Sequence, residues 1–160
     1  MEDLLGRIEE KLQGIPYVEK LLGIKGIGLR TVSVAVAEIG DIRRFDNAKQ
    51  LQKLAGLAIV SNDSGKHNGE SRISYRGRKR LRYALYEMAL SAVGKNADFH
   101  RLYRYYIERP KNPLKKMQAL IAVSCKLIRV LYAILTKGVA YDGTKMLGDI
   151  HRPEEYTQAA

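Results

Sequence analysis

The chain has 160 residues, of which 46% are hydrophobic, so it is long enough to fold as one globular domain with a real core. Its 28 lysines and arginines outnumber its 17 aspartates and glutamates. The resulting formal net charge of +11 favours a polyanionic partner such as nucleic acid. One cysteine excludes an internal disulfide, and three scattered histidines complete no zinc-binding pattern, so we expect no metal site in this chain.

The chain shows no sequence signal for a membrane. Its longest apolar stretch, residues 119–135, is interrupted by Lys126 and Arg129, so we predict neither a membrane span nor a membrane partner. Residues 1–14 are acidic and amphipathic, unlike a signal peptide, and we expect a cytoplasmic location. Cys125 lies within the apolar stretch, which favours a packed core thiol over a nucleophile.

The first third of the chain predicts helices joined by glycine-rich turns. Apolar residues recur at helical spacing in residues 1–14. Two further helices are predicted at residues 17–22 and 29–39, on either side of a glycine-rich turn at residues 23–28. Asp46 or Asn47 can then cap a helix that runs to residue 54.

The middle of the chain predicts a long loop. Residues 56–77 follow neither a helical nor a strand period and are rich in Gly, Ser and Asn, which is typical of functional or mobile loops. We expect at most a short strand at residues 73–75.

From Arg78 onwards the helical spacing returns. The first helix of this part carries one apolar face, made of Leu81, Ala84, Leu85, Met88, Ala89 and Ala92. Helices at about residues 98–108 and 114–135 follow, the last of them ending at Gly138.

These elements predict an all-α fold, a compact helical domain with a helix-hairpin-helix motif at about residues 16–39 and a long basic loop. We assign the domain to residues 15–142. Residues 1–14 resemble the end of a longer helix or coiled coil, and residues 143–160 are predicted to be a loose C-terminal tail.

The turn between the two predicted helices of the hairpin carries Lys25, Gly26, Ile27 and Gly28. Glycine permits a positive φ and lets the backbone approach another molecule closely, and the next helix starts with N–H groups that suit a phosphate. Ile24 and Ile27 should point inward and hold the hairpin rigid. This pattern predicts contact with a nucleic-acid backbone, and an ordinary αα-hairpin is the alternative.

Residues 64–82 carry a net charge of +6, more than half of the charge of the whole chain. So dense a charge repels itself unless a polyanion lies beside it. We therefore expect nucleic-acid contacts from Lys66, Arg72, Ser74, Arg76, Arg78, Lys79 and Arg80.

Ser64 lies in the same stretch and is followed by Gly65. A serine that attacks a phosphodiester needs an exposed oxygen and cations that bind the phosphoryl oxygens. From the residues alone, an ordinary loop serine is the simpler interpretation.

Several short motifs in chain order together resemble one protein family. They are residues 23–28 (GIKGIG), 37–40 (AEIG), Phe45, 51–57, 64–65, 72–74, 76–77, 81–82, 84–86, 126–127 and 138–141. Across about residues 15–142 the chain resembles the C-terminal domain of insertion-sequence transposases that pair a DEDD, RuvC-like domain with a catalytic serine and are guided by a bridge RNA.

The resemblance implies a recombinase in which Ser64 attacks DNA and forms a covalent phosphoserine. It also implies a DNA partner, a guide RNA, a homo-oligomer, and Mg²⁺ held by a RuvC-like domain that this sequence lacks. Residues 1–14 would then be the stub of an inter-domain coiled coil. We accordingly expect a cut-down or truncated product that does little or no cleavage alone.

Three other functions stay open at this point. The chain could be a non-enzymatic helix-hairpin-helix module that binds nucleic acid, or an assembly module that pairs through residues 1–14. A tyrosine-type recombinase is a weaker alternative, because the arginine and histidine set that it requires is not recognisable.

Overall fold

The computed structural model describes residues 2–60 and 72–150, and within these ranges it confirms an all-α fold. In the described part of the chain, eight α-helices and one two-stranded ribbon follow in order: α1 (Glu2–Gln13), α2 (Val18–Leu22), α3 (Leu29–Ile39), α4 (Ala48–Leu54), β1 (Ile59–Val60), β2 (Arg72–Ile73), α5 (Lys79–Lys95), α6 (Ala97–Glu108), α7 (Lys116–Lys137) and α8 (Gly143–Met146). Short 3-10 turns lie at Ile42–Arg44 and Leu147–Asp149.

Helices α5 and α7 form the centre of the fold. They pack against each other, α3 and α6 pack on α5, and α4 and α6 pack on α7. The six residues predicted for the apolar face of α5 are all buried, as the 3.6-residue period requires. Helix α7 contributes a longer stripe, which includes Val123, Leu127, Leu131 and Ile134.

Helix α7 is long and apolar enough to cross a membrane by length and composition alone. Half of its most apolar stretch is buried within the fold, and the buried side chains pack against α5 and α4. A core helix of a globular protein has this same composition, so its apolar character is explained by its central position.

The helix ends follow local rules that the sequence carries. The Asn47 side chain accepts a hydrogen bond from Gln50 N at 3.1 Å and caps α4, which selects it over Asp46. Gly138 adopts a left-handed conformation, with φ of 62°, directly after α7. Helices α6 and α7 begin and end within two residues of the predicted bounds.

The C-terminal part differs from the expectation of a loose tail. Residues 143–150 form α8 and a 3-10 turn, and Met146 and Leu147 are buried in the core. The Asp142 side chain caps α8 by accepting hydrogen bonds from Thr144 N and Lys145 N. This part of the predicted tail is therefore packed, because two adjacent apolar side chains reach the core.

At the N-terminus, α1 packs on α2 and α3. Leu12 is buried, Ile8 lies against the core, and Leu4 is exposed. The end of α1 thus belongs to the domain, and its proposed role as part of a coiled coil stays a prediction.

Candidate nucleic-acid interface

The hairpin at residues 18–39 is anchored in the core by the residues that the sequence suggested. Ile24 and Ile27 are both buried in the core, which confirms their predicted inward orientation. Ile27 N donates to Ile24 O at 3.0 Å and closes the turn. Lys25, which lies between them, is exposed.

Gly26 brings the hairpin against α5. Its φ is 95°, and a Cβ built on it would lie 2.8 Å from the Cα of Ala92 and 2.9 Å from the carbonyl oxygen of Ser91. The close approach that this glycine allows is therefore made to the chain's own α5. Gly26 and Ile27 position the hairpin, whereas Lys25 and Gly28 reach its surface.

The N-terminus of α3 presents backbone donors at that surface. Within the described ranges, the N–H groups of Gly28, Leu29 and Arg30 have no acceptor, whereas the Gly28 carbonyl accepts bonds from Val32 N and Thr31 Oγ1. No acidic residue occupies the first turn of α3. These donors and the nearby Lys25 suit an anion.

A second cationic surface lies at the start of α5. Arg76, Lys79 and Arg80 are exposed there, and we call these three residues the α5 cluster. The first turn of α5 contains no acidic residue, and no side chain caps it. The positive end of the helix dipole and the three cations therefore all raise the positive electrostatic potential at this surface.

Arg78 is part of the same segment but is engaged within the protein. Its Nη1 donates to the Glu38 carbonyl oxygen at 2.6 Å and lies 3.6 Å from the Glu38 carboxylate. Its N–H donates to Leu54 O at 2.7 Å. Arg78 thus ties the start of α5 to the ends of α3 and α4.

The remaining predicted contacts lie on or beyond the ribbon. β1 and β2 are antiparallel, and Val60 pairs with Arg72. Arg72 is exposed, whereas Ser74 is half-buried and its N–H donates to Ala58 O at 2.8 Å. Ser64 and Lys66 lie outside the described residues, in the segment 61–71 that follows Val60 and precedes Arg72 in the chain.

Strand β1 was not expected from the sequence, although a signal for it was present. Ile59 and Val60 are β-branched and directly precede a segment rich in Ser, Asn and Gly, which is typical of the first strand of a hairpin. The predicted strand at residues 73–75 is shorter than expected and begins one residue earlier, at Arg72.

Beneath the ribbon, the backbone before α5 packs on the turn after α4. A Cβ built on Gly77 would lie 2.5 Å from Gly56 N and 2.4 Å from Leu54 O. Arg82 Nη1 lies 3.3 Å from both the Ala55 and the Tyr75 carbonyl oxygens, so one guanidinium joins the two segments.

A groove of about 580 Å³ opens between the ribbon, the end of α6 and the first half of α7, and we call it the ribbon groove. Its walls are mostly apolar, with cations at Arg72, Lys126 and Arg129. The apolar and aromatic residues that line it are Ile59, Ile73, Tyr75, Tyr106, Leu114, Met117, Ile121 and Ala122.

Cys125 also lines the ribbon groove, and its environment makes it a poor nucleophile. Burial raises the pKa of the thiol to about 11, and nearby Arg129 only partly opposes this shift. Its Sγ lies 3.8 Å from Leu57 O and 3.5 Å from Gln52 Nε2. The thiol therefore stays protonated at neutral pH and has a packing role.

Among the described residues, no group of three or more His, Cys, Asp or Glu side chains lies close enough together to hold a metal ion. Several of the described acids serve local structure instead. Asp41, for example, accepts bonds from Arg43, which hold the pKa of its carboxyl at about 2.

Residues 18–104 match the model of the transposase IS116/IS110/IS902 family. The chain belongs to that family. The match spans the hairpin, the ribbon, the α5 cluster and most of α6, so the hairpin surface and the α5 cluster lie within the part of the chain that the family shares, whereas the α7 wall of the ribbon groove lies outside it.

Two relatives illustrate the range of this transposase family. The pilin gene-inverting protein of Moraxella bovis is 32% identical over 124 residues, which cover 76% of this chain and 38% of that protein. The 43.6 kDa protein of insertion element IS110 from Streptomyces coelicolor is 30% identical over 146 residues, which cover 91% of this chain and 35% of that protein. The chain thus spans about a third of the length of the curated relatives that it matches.

Proposed function

We propose that this transposase-family chain binds DNA through the α5 cluster and the hairpin, and that it supplies the serine nucleophile of a recombinase. The observation that carries the proposal is the uncapped start of α5, where three exposed cations coincide with the positive end of a helix. A cation near a helix N-terminus costs about 0.3–1 kcal/mol, and a bound phosphate removes that cost.

The hairpin, which packs on the same helix, offers a second phosphate site at the N-terminus of α3. Gly26 contacts α5 at Ala92, thirteen residues beyond Lys79, which corresponds to about 20 Å along the helix axis. One strand of DNA covers that distance in about six nucleotides. The two sites can therefore bind one DNA molecule at separate phosphates, without reading its bases.

Ser64 is the proposed nucleophile, by its position in the family pattern. Its oxygen would form a bond to phosphorus as its proton leaves, while a deoxyribose oxygen departs from the phosphorus and takes up a proton. Attack by a deoxyribose hydroxyl of another strand would reverse these steps and release Ser64. The ester conserves the energy of the phosphodiester bond, so rejoining needs no nucleotide cofactor.

The cations have a defined role in this reaction. Arg72 lies in the ribbon and the α5 cluster follows it in the chain, and the ribbon pairs Arg72 with Val60, the two residues that flank segment 61–71 in sequence. Their guanidinium and ammonium groups would neutralise the charge that develops on the phosphoryl oxygens. The family resemblance also implies magnesium, which a RuvC-like domain would hold.

A covalent trap tests the nucleophile. The chain is mixed with a RuvC-like domain of the family and a nicked DNA that cannot be rejoined, and the protein–DNA adduct is measured on a denaturing gel. We expect an adduct that Ser64→Ala abolishes and Ser71→Ala, a serine of the same segment, leaves intact.

The non-enzymatic alternative predicts a different result in the same experiment. If the chain binds DNA but forms no adduct, the nucleophile is wrong and the chain acts as a helix-hairpin-helix binding module. If it binds no DNA at low salt, both the recombinase and the binding module are excluded. A guide RNA and a homo-oligomer remain part of the proposal, and both are measurable by RNA co-purification and by light scattering.

A further inference from the structure

We propose that the ribbon groove binds an unpaired nucleobase from a single-stranded segment of nucleic acid. The inference rests on the proposed nucleic-acid-binding function and adds to it a preference for single-stranded over duplex nucleic acid. The volume of about 580 Å³ lies within the range of about 300–1,000 Å³ that is usual for small-ligand sites. A nucleotide is a ligand of that size.

The apolar side chains at the rim are unusually exposed. Ile59 is 70% exposed, Tyr75 is 64% exposed and Met117 is 58% exposed, although all three line one groove. Apolar side chains that are exposed together, rather than singly, mark a binding surface. The flat face of a base is an apolar surface that fits beside them.

Tyr75 is held in place at the edge of the groove. Its φ is 55°, a left-handed conformation that an aromatic residue rarely adopts. Its N–H donates to Gly56 O at 3.1 Å, and the guanidinium of Arg82 lies over its ring at 5.3 Å. Since Arg82 does not line the groove, this contact fixes the ring without filling the space that a base would occupy.

The charges around the groove favour nucleic acid over a protein partner. Arg72, Lys126 and Arg129 line it, and none of the described residues that line it is an aspartate or a glutamate. A base that enters the groove places its own phosphates beside these cations. In a duplex the base faces are stacked on one another, so only an unpaired base can present a face to Tyr75.

Binding of two fluorescent DNA probes tests the inference. The probes are a short oligodeoxythymidylate and a duplex of the same length, and their anisotropy is followed with the full chain at one salt concentration. We expect Tyr75→Ala to weaken binding of the single strand about tenfold, as expected when one stacked base is lost, and to change duplex binding less than about twofold.

Three further variants complete the test. Tyr75→Phe keeps an aromatic ring and should bind the single strand as the unchanged chain does. Met117→Ala should weaken single-strand binding without altering Tyr75, whose backbone is strained. Tyr83→Ala removes an equally exposed tyrosine outside the groove and should have no effect.

Two outcomes overturn the inference. Equal losses for the single strand and the duplex would assign Tyr75 to general DNA binding. Equal effects of Tyr75→Ala and Tyr83→Ala would show that the groove has no special role. If either outcome occurs while the unchanged chain binds the duplex, the inference about the ribbon groove fails and the proposed DNA-binding function stands.

Discussion

Gly56 and Gly77 pack backbone against backbone at the base of the ribbon. The Cβ that Gly77 lacks would lie 2.5 Å from Gly56 N, and the Cβ that Gly56 lacks would lie 2.6 Å from Arg82 Nη1. Both glycines also adopt positive φ angles, 71° and 155°. These two glycines, 21 positions apart in sequence, therefore form one structural unit, which fixes the start of α5 next to the ribbon.

A methyl group at Gly77 should destabilise this unit. We expect Gly77→Ala to lower the free energy of unfolding by about 2–4 kcal/mol, because the new Cβ would overlap Leu54 O and the φ is unfavourable for alanine. Urea denaturation followed by circular dichroism measures the change.

The matched control for Gly77→Ala is Gly94→Ala. Gly94 lies within α5, and a Cβ built there would meet nothing within 4 Å. Alanine should raise the free energy of unfolding there by about 0.5–1 kcal/mol through its better helix propensity. If the two variants show the same stability, the packing of Gly77 on Gly56 does not limit the fold.

Arg78 should contribute to stability more than to DNA binding. Arg78→Gln removes the hydrogen bond to the Glu38 carbonyl and the neighbouring ion pair, both partly exposed. We expect a loss of about 1 kcal/mol in the free energy of unfolding. Arg76→Gln, at an exposed neighbour, should stay within about 0.5 kcal/mol.

The α5 cluster should govern the salt dependence of DNA binding. Each lysine or arginine that contacts a phosphate contributes about −0.9 to the slope of log K against log salt. The double change Lys79→Gln/Arg80→Gln should therefore make the slope shallower by about 1.8. Anisotropy titrations of a duplex at several salt concentrations give the slope.

An equal loss of charge elsewhere provides the control for that experiment. Lys11→Gln/Lys145→Gln removes two exposed lysines from α1 and α8. We expect the slope of log K against log salt to equal that of the unchanged chain within experimental error. A change as large as that of the α5 double variant would mean that binding follows total charge and that no local surface is responsible.

The thiol of Cys125 gives a prediction about pH. Its folded-state pKa of about 11 lies above the usual thiol value, so the unfolded chain loses this proton first. The protonated thiol of Cys125 therefore contributes to the free energy of unfolding. This contribution is complete below the usual thiol pKa and is lost as the pH rises towards 11. Alkylation by iodoacetamide should be slow in the folded chain at pH 8 and fast in urea.

The Cys125 experiment also has an internal check. The ratio of the two alkylation rates should shrink as the pH approaches 11, where the folded thiol ionises. Fast alkylation of the folded chain at pH 8 would contradict the burial of this side chain.

The sequence by itself determined the helices and their inward faces. The spacing of Leu81, Leu85 and Met88 places them on one face of any helix, and the glycines on either side of Ile24 and Ile27 require a tight turn. These features depend on residues within a few positions of one another, so local geometry decides them. The net charge of residues 64–82 is likewise fixed by the sequence.

Only the tertiary structure decided which of these charges bond within the protein and where the exposed apolar residues meet. Arg78 and Arg80 look alike in sequence and both are exposed, yet Arg78 bonds to Glu38, forty residues away, whereas Arg80 makes no such contact among the described residues. Likewise, the ribbon groove joins Ile59 and Tyr75 to Met117 of α7. Such contacts arise when distant segments pack, and no local pattern encodes which segments will be neighbours.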